Sequence, residues 1–159
     1  MSLPPLYAFV GDPRSRPHYA RHIEPVAKAL RARGHEITLL QPGRTPPMGS
    51  VVLVAGHYDV HALAGRHLIH IEHGAGQHYG GDSAVAASPG FAGGAGYDQC
   101  ILFLTPNEVV ADRWRAAYPD TPAVAVGCPA LDRWHQDPPT PTKPRIALTF
   151  HWPSALCPE

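Results

Sequence analysis

Short apolar runs recur along the chain and predict a set of buried β-strands. Each run is rich in Val, Ile, Leu or Phe, and many are bounded by Gly or Pro. The predicted strands cover residues 6–10, 36–40, 51–55, 68–72, 100–104, 123–126 and 145–150. Continuous apolar runs of this length are typical of parallel strands that are covered on both faces.

A first helix is predicted between the first two strands. The apolar positions of one helical face, spaced i, i+3, i+4 and i+7, are Ile23, Val26, Ala27 and Leu30. Gly34 follows them as the expected C′ residue. Because Pro25 is acceptable only in a first turn, the helix is expected to begin near His22, with Glu24 at its start.

A second helix is predicted after the fifth strand. Thr105 is expected at the N-cap, Pro106 at N1 and Glu108 at N3, which is the order that favours helix initiation. The helical pattern continues to about Tyr118. This strand and helix together make one unit of the alternation that typifies α/β proteins.

The alternation of strands and helices predicts an α/β fold, a Rossmann-like open and mostly parallel sheet with helices on both faces. Residues 41–50 are the exception, because this Pro/Gly-rich connection is too short for a crossover helix. Residues 59–64 predict one or two helical turns, and residues 83–96, rich in Ala and Gly, predict a loop.

Composition narrows the classes of function. Thirteen basic residues balance thirteen acidic ones and neither sign forms a long run, which argues against nucleic acid as a partner. The N-terminus lacks a basic region and its apolar run is too short for a signal peptide or a transmembrane segment, so a cytoplasmic location is expected. Cys100, Cys128 and Cys157 are widely spaced and predict reduced thiols.

The candidate functional residues are concentrated in residues 68–81, LIHIEHGAGQHYGG, where a predicted strand is followed by a loop of glycines and histidines. Parallel sheets bind their ligands at the carboxyl ends of the strands. His73 at this end can accept a proton near neutral pH. Gly74 and Gly76, and Gly11 after the first strand, would allow backbone N–H groups to approach a phosphate or a sugar.

The histidines allow more than one interpretation. His22, at a predicted helix N-terminus, would be kept neutral and could act as a base, or it could serve only in packing. His73 could equally be a turn residue whose imidazole is satisfied by the backbone.

His70 and Glu72 would share one face of their strand. Six histidines are close in sequence and could bind a metal, namely His57, His61, His67, His70, His73 and His78. No HExxH or DxD pattern accompanies them, so no metal site is predicted.

Three stretches resemble GT-B-fold glycosyltransferases. Residues 22–38, HIEPVAKALRARGHEIT, are similar to the first helix and second strand of the N-terminal domain of that family. Residues 97–134, with the HGAGQHYGG loop before them, look like the later half of that domain in the CDP-glycerol glycerophosphotransferase branch, including a G-x-P-x-x-D turn. Residues 145–152, RIALTFHW, resemble the strand that opens the second, donor-nucleotide domain.

The resemblance implies a division of the chain and an activity. Residues 1–137 would be an acceptor-side domain, 138–144 a linker and 145–159 the start of a truncated donor domain. The activity would be transfer of a sugar or glycerophosphate unit from a nucleotide-activated donor to a hydroxyl acceptor, without metal or cofactor. The donor would bind mainly to the second domain, so this chain alone is expected to be incomplete and inactive.

The resemblance also implies roles for two histidines. His73 matches the loop histidine that serves as general base, and His22 matches the histidine of the first-helix motif. The alternative is a single-domain module that binds a glycan or a nucleotide without catalysis.

Overall fold

The computed structural model describes residues 5–10, 17–40, 43–72 and 96–132. Within them lies one six-stranded sheet in the order β2-β1-β3-β4-β5-β6, in which every pair of neighbours is parallel. The strands are β1 (Leu6–Ala8), β2 (Ile37–Leu39), β3 (Val51–Val54), β4 (His67–Ile71), β5 (Cys100–Thr105) and β6 (Ala123–Ala125). The predicted α/β class is confirmed.

Three α-helices cover the two faces of this sheet in its described part. They are α1 (Pro17–Ala32), α2 (His57–Ala62) and α3 (Glu108–Ala117), and a short 3₁₀ helix follows at Pro129–Leu131. α1 packs on one face, here the α1 face, with Ile23 and Ala27 among Leu53 and Ile71. The opposite α3 face carries α2 and α3.

The order of the strands places a switch point between β1 and β3. The chain moves from β1 to β2 on one side and then returns past β1 to β3. Later connections continue in the second direction, and the helices α2 and α3 therefore lie opposite α1, as right-handed crossovers require. Ligands of open α/β sheets bind outside the carboxyl ends of the strands at such a point.

α1 begins earlier than its sequence predicted. It starts at Pro17, so Pro25 lies inside the helix and Glu24 is not in its first turn. An interior proline costs ~3 kcal/mol because it removes a hydrogen bond and crowds the preceding turn. Burial of Tyr19 and Ile23, which are 5% and 0% exposed, offsets this cost and extends the helix towards its N-terminus.

The C-terminus of α1 has the predicted form. Gly34 adopts a φ of 86°, and its N–H donates to the carbonyl of Arg31 at 3.0 Å. The N–H of His35 donates to the carbonyl of Leu30 at 3.1 Å. These two bonds form a Schellman motif, which ends the helix and turns the chain into β2.

The N-cap of α3 is Asn107, and the prediction of Thr105 was wrong. The Oδ1 atom of Asn107 accepts the N–H of Val110 at 3.0 Å. Thr105 remains in β5, where its hydroxyl donates towards the carbonyls of Asn107 and Val124. Extension of β5 by one residue therefore moves the helix start to Glu108.

The connection between β2 and β3 contains no helix in its described residues, 43–50, and still joins parallel strands. The guanidinium group of Arg66 holds it by donating from Nε and Nη2 to the carbonyl of Pro46, at 3.1 and 2.9 Å. The predicted strand at 145–150, the linker at 138–144 and all but the last residue of the loop at 83–96 lie outside the described residues.

Candidate functional site at the carboxyl edge of the sheet

Gly56 marks the carboxyl end of β3 at the switch point. A Cβ atom on this residue would lie 2.2 Å from Cε2 of Tyr19 and 2.9 Å from Oδ2 of Asp59. The aromatic ring of α1 and the carboxylate of α2 therefore meet directly over the backbone of Gly56. Glycine is required here because any side chain would collide with both groups.

Asp59 and Tyr19 bring polar groups to the carboxyl edge of the sheet around Gly56. Asp59 lies in the first turn of α2 and is only 4% exposed. Tyr19 is 5% exposed and brings a phenol group to the same place. The carboxyl edge between β1 and β3 thus carries two buried polar side chains, the phenol of Tyr19 and the carboxyl group of Asp59.

His22 lies on the buried side of α1, three residues after Tyr19, and is 7% exposed. The sequence predicted that His22 stands at the helix N-terminus, and this placement was wrong because α1 begins five residues earlier. The dipole argument therefore no longer supports the neutrality of His22, since that effect is confined to the first turn. Its proposed role as a base stays a prediction.

Glu72 directly follows β4 and is a buried carboxyl group at the same edge. It is 8% exposed, and its Oε2 atom accepts the indole N–H of Trp114 at 2.7 Å. Burial raises the pKa of Glu72 above its ordinary value of 4.5, while the hydrogen bond from Trp114 and the charge of Arg113 act in the opposite direction. A carboxyl group in this state can hold or release a proton closer to neutral pH than an exposed one.

His70 is enclosed by aromatic rings on the α3 face. Its ring centroid lies 5.2 Å from that of Tyr97, 5.5 Å from that of Trp114 and 6.3 Å from that of Phe103. Because Glu72 also contacts Trp114, the prediction that His70 and Glu72 share one face of the strand is confirmed. His70 is 3% exposed and serves the core.

The aromatic cluster fixes the position of Trp114 and hence of Glu72. Trp114 is fully buried and stacks on Phe103 with ring centroids 4.2 Å apart. Tyr97 meets the same indole edge to face at 4.8 Å, and its backbone N–H donates to the hydroxyl of Tyr118 at 2.9 Å. Burial also raises the pKa of Tyr97, so its phenol stays protonated.

Four predicted site residues, namely His73, Gly74, Gly76 and Gly11, lie outside the described residues. Their immediate neighbours are described. Val10 follows β1 and Glu72 follows β4, and β3 lies between these strands. The chain therefore leaves the sheet towards Gly11 and His73 at points roughly 10 Å apart, two strand spacings across the carboxyl edge.

Two residues of this edge, Tyr19 and Asp59, were not predicted from the sequence, and Glu72 was predicted only to share a face with His70. Asp59 carries only a weak signal in the sequence, since it lies three positions after Gly56, a glycine that follows β3. Tyr19 was missed because the helix was started too late.

The described residues were also searched for clusters of metal ligands and for helices that could span a membrane. No group of three or more His, Cys, Asp or Glu side chains there could hold a metal ion. No helix in those ranges is both long enough and apolar enough to cross a membrane.

Comparison of the chain with known protein families, with curated proteins and with solved structures finds no match.

Proposed function

We propose that this chain is the acceptor-side part of a GT-B glycosyltransferase. The reaction moves a sugar or a glycerophosphate unit from a nucleotide-activated donor to a hydroxyl acceptor. The observation that carries the proposal is the presence of two buried carboxyl groups at the carboxyl edge beside the switch point: Asp59 after β3 and Glu72 after β4. This is the edge where open parallel sheets bind their ligands.

In the proposed reaction, His73 removes the proton of the acceptor hydroxyl. The acceptor oxygen then forms a bond to the anomeric carbon of the sugar, or to the phosphorus of a glycerophosphate donor. The bond from that atom to the phosphate oxygen of the nucleotide breaks, and the nucleotide leaves with the electron pair. A positioned base of this kind contributes ~10²–10⁴-fold to the rate.

His22 is the second candidate for the base, and its burial on α1, three residues after Tyr19, supports a place near the acceptor. Gly11, Gly74 and Gly76 would let backbone N–H groups approach the phosphate or the sugar. The donor nucleotide would bind mainly to a second domain opened by residues 145–159. The cytoplasmic location stays a prediction.

The proposal is tested with the full native reading frame. The purified protein is incubated with nucleotide sugars and with CDP-glycerol, each with and without a hydroxyl acceptor, and nucleotide release is followed by chromatography. We expect release with one donor class, dependent on the acceptor and insensitive to a chelator. Donor binding in calorimetry without any turnover would instead favour the non-catalytic binding module.

A further inference from the structure

β2 is one of the two outer strands of the described sheet. Successive residues of a strand direct their backbone N–H and C=O groups alternately to its two sides. The N–H of Leu40 donates to the carbonyl of Ala8 in β1 at 2.9 Å, so Ile37, an odd number of residues earlier, directs its carbonyl to the outer side. Arg31, in the last turn of α1, donates to this carbonyl from Nε at 3.1 Å and from Nη2 at 2.9 Å. The outward carbonyl of Ile37 is therefore already bound.

β6, the other outer strand of the described sheet, has the same arrangement. The N–H of Val126 donates to the carbonyl of Thr105 in β5 at 2.9 Å, so by the same alternation Ala123 directs its carbonyl to the outer side. Arg115, in the last turn of α3, donates to it from Nε at 3.1 Å and from Nη2 at 2.7 Å. In both places an arginine at the end of a helix binds the first residue of the outer strand that follows.

The guanidinium group of Arg115 is held in this orientation by two carboxylates of α3. Its Nη1 atom donates to Oε2 of Glu108 at 3.0 Å and to Oδ1 of Asp112 at 2.7 Å. All three side chains are exposed, and ion pairs of this kind contribute little to stability. Their effect is to fix the plane of the guanidinium group, which leaves Nε and Nη2 directed at the carbonyl of Ala123.

An outer strand needs such protection, because its unpaired N–H and C=O groups are a template for a strand of another chain. The formal net charge of this chain is +0 at pH 7 with neutral histidines, so net charge does not keep two copies apart. Two copies could pair the same outer strand with each other across a two-fold axis. Any barrier to this pairing must therefore come from local groups at each outer strand.

We propose that Arg31 and Arg115 protect the two outer strands from pairing with a second copy of this chain. Each guanidinium group occupies an outward carbonyl that a partner strand would need. Each also places a positive charge at the strand, and a pairing strand would have to remove the water around that charge. This inference does not depend on the proposed transferase reaction.

The test is sedimentation velocity of the chain over a range of protein concentrations. The test variants are Arg31→Met and Arg115→Met, which replace the guanidinium group by an unbranched chain without N–H donors. The matched control is Arg33→Met. It loses the same charge, but the bond that it removes runs from Nη1 of Arg33 to the carbonyl of Ala29 in α1 and not to a strand.

We expect wild type and Arg33→Met to sediment with the mass of one chain, 17.1 kDa. Arg31→Met and Arg115→Met should form dimers with an association constant about tenfold or more above that of wild type, because the freed carbonyl can accept an N–H of the partner strand. Either variant, if folded and no more associated than Arg33→Met, would overturn the role of its arginine.

The competing role for these arginines is to anchor each helix to the strand that follows it. That role predicts a lower melting temperature without association, and this result would overturn the proposal. Association through partial unfolding is tested by adding Ala125→Pro to Arg115→Met. Ala125 directs its N–H to the outer side of β6, where proline is tolerated and strand pairing is blocked. Return to a monomer supports the proposal, and dimers that persist in the double variant would contradict it.

Discussion

Replacement of Trp114 by Phe tests how the carboxyl edge is held. The substitution removes the indole N–H that donates to Oε2 of Glu72 at 2.7 Å and removes part of a ring stacked on Phe103. Loss of a hydrogen bond to a buried charged group costs ~1.5–3 kcal/mol. The missing ring volume adds ~1 kcal/mol. We expect the free energy of unfolding to fall by ~3 kcal/mol, measured by urea denaturation with far-ultraviolet circular dichroism.

Glu72→Gln is the matched control, since an amide oxygen still accepts the indole N–H but cannot ionise. Because burial raises the pKa of Glu72, the ionised carboxylate is disfavoured in the folded protein. Wild-type stability should therefore fall as the pH rises from about 4.5 through the raised pKa, and Glu72→Gln should lack this loss. Above that range Glu72→Gln should be at least as stable as wild type.

A double-mutant cycle separates the contribution of the Trp114–Glu72 hydrogen bond from that of the lost ring volume. In the Glu72→Gln background, Trp114→Phe should cost only ~2 kcal/mol, because a neutral hydrogen bond is weaker than a charged one. The reasoning is refuted if Glu72→Gln lowers the stability at pH 8 by ~2 kcal/mol or more. That result would mean that the ionised carboxylate stabilises the fold in spite of its burial.

Three further predictions follow from local geometry. Gly56→Ala should lower the free energy of unfolding by ~2 kcal/mol or more, because its Cβ would lie 2.2 Å from the ring of Tyr19, and urea denaturation checks this. Asn107→Ala should cost ~1 kcal/mol by loss of the bond to the N–H of Val110, while Asn107→Asp should retain the cap. Burial raises the pKa of the Cys100 thiol to about 12, so Cys100 should stay unlabelled by a thiol reagent at pH 8 until the protein is denatured, as peptide mass spectrometry would report.

The strands were predictable because burial on both faces leaves an unambiguous pattern. The runs at 51–55, 68–72 and 100–104 each coincide with a strand to within one residue. Their parallel pairing was expected from the alternation of strands and helices along the whole chain, and it is confirmed. The short β2–β3 connection shows that a parallel crossover can be made without a helix, because Arg66 supplies the hydrogen bonds that anchor it.

The start of α1 could not be found by the rule that places proline in a first turn. Pro25 lies inside the helix because the apolar face extends back through Tyr19, whose burial outweighs the local penalty. The cap of α3 was missed for a related reason. Thr105 has a cap-forming side chain, but pairing with β6 keeps it in the sheet and leaves capping to Asn107.

The sequence predicted where the candidate site lies, but only some of the residues that form it. The sequence indicated the carboxyl end of β4, where Glu72 was found buried. Contacts between distant segments carry no local signal, and the meeting of Tyr19 with Gly56 and the bond between Glu72 and Trp114 are of this kind. Such contacts emerge only once α1 and α3 pack on the sheet.

The central claim is the role of His73 in acceptor activation, and turnover of the His73→Ala variant in the full reading frame tests it most directly. We predict a turnover number ~10²–10⁴-fold below wild type, with little change in donor affinity, and a smaller loss for His22→Ala. Melting temperatures of both variants serve as the folding control. Full activity in a correctly folded His73→Ala protein would contradict the account.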